Sequence, residues 1–106
     1  MLFYVKCEVK QHYMALPEEM YEMQLKTLEY IFENKKSGRI VAGGTLAGKR
    51  GFIVIVNVES IEEFDEFCFA IPLFNLYEVE LDPITSIENR RKLFENLKKE
   101  STMYTP

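Results

Sequence analysis

Histidine is almost absent from this chain, cysteine is sparse, and neither an excess of positive charge nor a long hydrophobic run is present. His12 stands alone, and Cys7 and Cys68 occupy no CxxC or other metal-ligand spacing, which argues against a zinc site assembled within one chain. Two cysteines allow at most one intramolecular disulfide, and buried, inert thiols are the expected state. His12 falls in a polar loop where a surface position is expected, and only its titration range marks it for catalysis. Lys and Arg number 13 against 17 Asp and Glu, a net charge of −4, so no nucleic-acid partner is expected, because such affinity rests on clustered cations. The one basic stretch, 88–100, holds five basic and three acidic residues and reads as a solvated helix face. The longest apolar run, 52–56, has five residues where a membrane span needs about 20. Met1 opens directly onto a strand-like alternation instead of a signal peptide, which makes the cytoplasm the expected location and leaves no membrane partner.

What is present suits one compact domain: 106 residues, 47% apolar and 28% charged, with eight Phe and six Tyr and no low-complexity tract. Phe3, Val5, Cys7 and Val9 alternate with Leu2, Tyr4, Lys6 and Glu8, the period of a strand. Beyond a loop over 11–16, Pro17 followed by Glu18 and Glu19 has the chemistry of a helix start, with fixed φ and carboxylates at the positive end of the dipole. The helix is expected to run to about Lys36 and stop at Gly38, with Tyr21, Leu25, Leu28 and Phe32 as its buried stripe. Residues 39–46 and 51–58 read as two strands joined by the tight connection 47–50. Ser60 with Glu63 forms a capping box for a second helix, whose Ile61, Phe64, Phe67, Cys68 and Ile71 share one side before Pro72 closes it. Residues 76–81 alternate again as a fourth strand, ending before Asp82-Pro83. Residues 86–100 form a last amphipathic segment, its stripe of Ile87, Arg90, Phe94 and Leu97 expected to dock on a neighbouring subunit or on its own domain.

The order is βαββαβ plus a C-terminal helix. Right-handed crossovers then favour an α+β, ferredoxin-like fold over residues 1–84, a four-stranded antiparallel sheet with two helices on one face. Residues 85–106 form a helical extension and tail. The other face of the sheet, bearing Tyr4, Lys6, Glu8, Ile53, Ile55, Asn57, Glu78 and Glu80, has no helix of its own and invites a second subunit.

Gly43-Gly44-Thr45-Leu46-Ala47-Gly48-Lys49 matches the GxxxxGK spacing of a phosphate-binding loop and fails on two counts. Arg50 stands where Ser or Thr would hold magnesium, and a strand follows where a helix N-terminus would face the phosphate. The glycines instead permit a hairpin turn. Lys49 and Arg50 remain as two cations at its tip, able to meet a carboxylate, bidentately in the case of arginine. Glu8, Glu78 and Glu80 share the mixed sheet face with Lys6, where burial in an oligomer would raise a carboxylate toward the range of proton transfer; an exposed, edge-protecting charge ladder is the plainer reading.

The segments together resemble the muconolactone delta-isomerase family over most of the chain. The resemblance is carried by Met1-Leu2-Phe3-Tyr4-Val5-Lys6, by Leu16-Pro17-Glu18-Glu19, by Leu25-Lys26-Thr27-Leu28-Glu29, and by Asn57-Val58-Glu59-Ser60. Ile71-Pro72-Leu73-Phe74, leading into Glu78-Val79-Glu80-Leu81-Asp82-Pro83, completes it, and the Pro-Leu-Phe step is its most specific piece. The resemblance implies a ferredoxin-like fold paired into a dimeric α/β barrel, with further assembly into decamers. It also implies a proton shift within an unsaturated lactone in aromatic-compound breakdown, with no metal or organic cofactor. Such a shift needs a base, an acid and donors for the developing enolate. By resemblance Glu29 is the expected base, with Glu8, Glu78 and Glu80 as the other candidates. Arg50, Lys49, Tyr4 and Lys6 are the expected contacts to a small carboxylate or lactone. Degradative isomerases of the family follow the helix-ending glycine with a basic, aromatic, histidine-containing stretch; here Arg39-Ile40-Val41-Ala42-Gly43-Gly44 stands instead, which predicts an altered pocket. A non-catalytic small-molecule-binding or assembly protein on the same barrel is the alternative, and a cofactorless monooxygenase has no recognisable residues.

Overall fold

The computed structural model describes residues 1–10 and 17–103, so His12 and the expected loop over 11–16 lie outside the described residues. The elements are β1 (Leu2–Val9), α1 (Pro17–Lys36), β2 (Ile40–Thr45), β3 (Gly51–Asn57), α2 (Ile61–Phe69), β4 (Tyr77–Ile84) and α3 (Ile87–Met103). The strands form one sheet in the order β2-β3-β1-β4, and each neighbouring pair is antiparallel. With the helices following β1 and β3, this is the expected ferredoxin-like arrangement.

Alternation along β1 and β3 builds the core. Phe3, Val5 and Cys7 lie beside Val56, Val54 and Phe52 on neighbouring strands, all buried, and α2 covers them with Phe64, Phe67 and Cys68. Phe3 stacks on Phe64 with ring centroids 3.9 Å apart. Ser60 caps α2 as the spacing predicts, its Oγ accepting the Glu63 N–H at 3.1 Å, while Glu63 Oε2 accepts the Glu59 N–H at 2.8 Å. The same carboxylate pairs with Arg39 Nε at 3.3 Å. Between β2 and β3 the chain makes the expected hairpin, turning through Gly48 at φ +73. In β2 a register shift between Ile40 and Ala42 brings the edge strand so close at Gly43 that any Cβ there would overlap the Ile53 carbonyl.

The structure corrects four expectations. Tyr21, Leu25 and Phe32 are not the buried stripe of α1; they are 61, 58 and 59% exposed, with Leu28 half-buried beside them. Met20, Thr27 and Asn34 turn inward instead. Polar residues hold these buried positions because their hydrogen bonds are met: Thr27 Oγ1 lies 2.9 Å from Tyr77 Oη, and Asn34 donates to the Tyr30 carbonyl at 2.9 Å. Ile61, at the first turn of α2, is exposed as well. β4 continues through Asp82-Pro83 to Ile84, which an edge strand tolerates because proline has no N–H to withhold from a neighbour on its free side. Finally, of the two docking surfaces expected for α3, a neighbouring subunit or its own domain, the second is not used. The helix is capped by Ser86 Oγ, which accepts the Asn89 N–H at 3.0 Å, yet its residues 87–101 are all exposed. The chain measures 69 × 29 × 23 Å, with a radius of gyration of 18.5 Å against about 13 Å for a compact domain of this size. No described helix is long and apolar enough to cross a membrane.

Candidate functional site

The inward stripe of α1 does not seal onto the sheet along its whole length. Toward the β2–β3 hairpin it leaves a cleft of about 260 Å³ lined by Val9, Gln24, Thr27, Leu28, Thr45, Leu46, Lys49, Arg50, Gly51, Phe52 and Tyr77. Drug-sized ligands occupy sites of roughly 300 Å³ and upward, so this space suits a small molecule. Its floor is apolar, from Val9, Leu28 and Phe52. The walls and mouth carry polar groups of two kinds.

Neutral donors and acceptors lie deep. Tyr77, the first residue of β4, reaches across to Thr27 on α1. Thr27 Oγ1 also lies 3.4 Å from the Pro72 carbonyl and 3.3 Å from that of Met23. A hydroxyl has one proton to give, so Thr27 donates to a carbonyl while the Tyr77 O–H donates to Thr27. Burial raises the Tyr77 phenol above its ordinary 10.0, the Thr27 hydrogen bond opposes this, and Cys7 adds to it; the group stays a neutral donor near pH 7. Beside them Gln24 Nε2 is buried without a hydrogen-bond partner, an amide donor with unused capacity, and such groups are costly to leave unpaired.

The turn that delivers Tyr77 is strained. Leu73 sits at φ 60, a region that costs a residue with a Cβ on the order of 1 kcal/mol or more. A single 3₁₀ turn over Phe74–Leu76 follows it, and this Pro-Leu-Phe step sets both the Pro72 carbonyl and Tyr77 against Thr27.

The cations stand at the mouth. Lys49 and Arg50 occupy the hairpin tip, exposed, and Arg50 is tied by its backbone, whose carbonyl accepts the Val9 N–H at 2.9 Å. Among the described residues neither side chain has a carboxylate partner. The cleft therefore presents positive charge outside, hydrogen-bonding groups inside and an apolar floor.

Of the residues singled out in the sequence, the structure brings Lys49 and Arg50 into this cleft. Glu29 is exposed on α1 and lines no part of it. Tyr4, Lys6 and Glu8 lie half-buried on the opposite, helix-free face of the sheet. In register, Lys6 is opposite Glu80, Glu8 opposite Glu78 and Tyr4 opposite Asp82. That is a charge ladder separated from the cleft by the sheet itself. Gln24, Thr27 and Tyr77 were missed. Their signal was present as polar residues at positions 24, 27 and 34, spaced to share one helix face with Met20 and Ile31, a pattern that hydrophobicity alone reads as the solvent side.

Residues 1–90 match the sequence profile of the muconolactone delta-isomerase family. Among solved structures, one of muconolactone isomerase is similar over 81% of this chain and 90% of its own, at 23% identity and a TM-score of 0.71. A second, 5-chloro-2-hydroxyhydroquinone dehydrochlorinase from Burkholderia phenoliruptrix AC1100 in complex with 2,5-dihydroxybenzoquinone, is similar over 84% of this chain and 98% of its own, at 16% identity and a TM-score of 0.61. At these identities the two likenesses are of fold. No curated protein sequence matches the chain significantly.

Proposed function

The chain belongs to the muconolactone delta-isomerase family, and from that premise we propose that it takes a small, carboxylate-bearing unsaturated lactone into the cleft between α1 and the sheet and shifts a proton within it. The observation that carries this reading is the gradient of the cleft, from the Lys49 and Arg50 cations at the mouth to the neutral donors inside. Arg50 and Lys49 pair with the carboxylate. The Gln24 amide donates to the ring carbonyl, whose oxygen gains charge as the neighbouring C–H gives up its proton, while the Tyr77 phenol, its own proton given to Thr27, fixes that wall of the cleft. Val9, Leu28 and Phe52 keep that end dry, which strengthens those hydrogen bonds. The proton taken by the base is returned to the far carbon of the dienolate, which moves the double bond with no net change in protons or oxidation state.

The base is sought among Glu29, Glu8, Glu78 and Glu80. None of them lines the cleft of a single chain, so one must arrive from a second copy; family membership supports a homo-oligomer, a dimer with possible further assembly to a decamer. A second reading, a binding protein without turnover, is favoured by one observation: the described cleft lining contains no carboxylate, imidazole or thiol.

Ultraviolet absorbance with muconolactone and the purified protein separates the two. Isomerisation is expected, with Arg50→Ala chiefly raising KM, and replacement of the true base by Gln lowering kcat by about 10²- to 10⁴-fold. Calorimetric binding with no turnover supports the binding reading, and neither binding nor turnover rejects both. Turnover kept in all four Gln variants rejects a carboxylate base.

A further inference from the structure

The cleft between α1 and the sheet continues into a second space. Along the later turns of α1 a groove of about 280 Å³ follows β2, and Leu28, Thr45 and Phe52 line both it and the cleft. The two adjoin as one channel that passes those three side chains. From Gln24 in the cleft to Lys35 in the groove, α1 advances about 17 Å, so the channel has room for more than one small ring.

The groove differs from the cleft in its chemistry. Ile31, Phe32, Val41 and Val54 join the shared residues in its lining. Lys35 is the charged member of that lining, and a lysine stem lies on apolar surface while its amine stays in water. Phe32 and Val41 are 59 and 54% exposed, so a ligand that covers them gains by removing apolar surface from water. The backbone of β2 explains why this space is open. Gly43 pairs with the buried Val54, and because a Cβ at Gly43 would overlap the Ile53 carbonyl, no side chain fills the groove from that position.

A polar cleft with cations at its mouth therefore leads into a bare apolar extension. Resting on the lactone reading of the cleft, we propose that the substrate is a lactone bearing a hydrocarbon substituent on the side of the ring away from its carboxylate. The carboxylate meets Lys49 and Arg50, the ring carbonyl meets Gln24, and the substituent passes Leu28 into the groove between α1 and β2.

Calorimetry on the full-length chain tests this with phenylacetate and its para-ethyl and para-butyl derivatives, unreactive probes that hold a ring between a carboxylate arm and a tail of rising length. The dissociation constant is expected to fall about two- to fourfold for each methylene that leaves water. Val41→Asp puts a charge in the groove, and Thr45→Leu narrows its junction with the cleft. Both positions are exposed on an edge strand, so the circular dichroism of the folded chain is expected to persist, and Val41→Ser serves if the charge costs the fold. Each variant is expected to lose most of the gain between phenylacetate and its para-butyl derivative. Affinity that ignores tail length shows a groove closed to ligand and overturns the proposal, as does a gain that both variants keep or a failure of all three probes to bind. The muconolactone assay separates this from the proton shift. Turnover of the unsubstituted lactone beside a flat probe series overturns the groove's role and leaves the proton shift standing, whereas a tail gain without turnover supports the groove and counts against the proton shift.

Discussion

Burial sets the chemistry of the two thiols. Loss of water pushes Cys7 from an ordinary 9.0 up to about 12, with Cys68 adding to the rise, and pushes Cys68 to about 11, with Asp65 adding. The native chain therefore holds both as neutral thiols through a range in which an unfolded chain would ionise them. Their contribution to stability is complete below pH 9 and is lost as pH rises through 9 toward 11 and 12, because there the unfolded state releases protons that the folded state keeps. Tyr30 and Tyr77, both raised above 10.0 chiefly by burial, act in the same direction at the upper end. The melting temperature is expected to hold steady between pH 7 and 8.5 and to fall between about pH 9 and 11, with Cys7→Ala flattening the early part of that fall. A melting temperature that does not change across the window contradicts the assignment. These thiols were legible in the sequence, Cys7 from strict alternation and Cys68 from its place in an apolar helix face. Thr27 was not, because the partners that make its burial tolerable, Tyr77 and the Pro72 carbonyl, lie about fifty residues away along the chain, and Gln24 was not, because nothing near it in sequence marks its amide nitrogen as buried and unpaired.

At the scale of elements, local chemistry was enough wherever the determinant is local. The Ser60 cap, the Gly38 stop and the hairpin through Gly48 each depend on residues within a turn of one another, and each is where the sequence places it. The Ser60 hydroxyl satisfies a backbone N–H that α2 cannot satisfy internally, so Ser60→Ala is expected to cost about 1 kcal/mol, read as a lowered urea midpoint with an unchanged slope; no shift in midpoint would mean that water replaces the cap at no cost. The facing of α1 is a different matter. Its sequence offers two stripes one residue apart, one apolar through Tyr21, Leu25 and Phe32 and one mixed through Met20, Gln24, Thr27 and Asn34. Periodicity selects the first, while the fold buries the second, because Thr27 finds Tyr77 across the fold and Asn34 finds the Tyr30 carbonyl one turn back, and the apolar stripe is left exposed. β4 passes Pro83 for a similar reason: a proline ends a strand only if its neighbour on the N–H side needs that donor, and which strand lies at the edge is a property of the assembled sheet.

At the scale of the whole molecule, the helix-free sheet face is graded from apolar to charged. Leu2, Tyr4, Ile53 and Ile55 form its half-buried apolar part, with Tyr4 opposite Ile55 and Lys6 opposite Ile53. The ladder of Glu78, Glu80 and Asp82 fringes it along β4. These isoleucines are half-buried already, so covering what remains exposed of each contributes on the order of 1 kcal/mol, which in combination favours two sheets packing face to face. The expectation that belongs to this surface is a face-to-face pair of two copies. Light scattering is therefore expected to give the wild type a mass of at least twice 12.5 kDa. Ile55→Lys, which puts a charge at the centre of the apolar patch, is expected to lower that mass while the circular dichroism of the folded chain persists. An Ile55→Lys variant that keeps the wild-type mass would remove the sheet face from its assigned role, because a lysine at the centre of the patch cannot be buried against a second sheet without a partner for its charge.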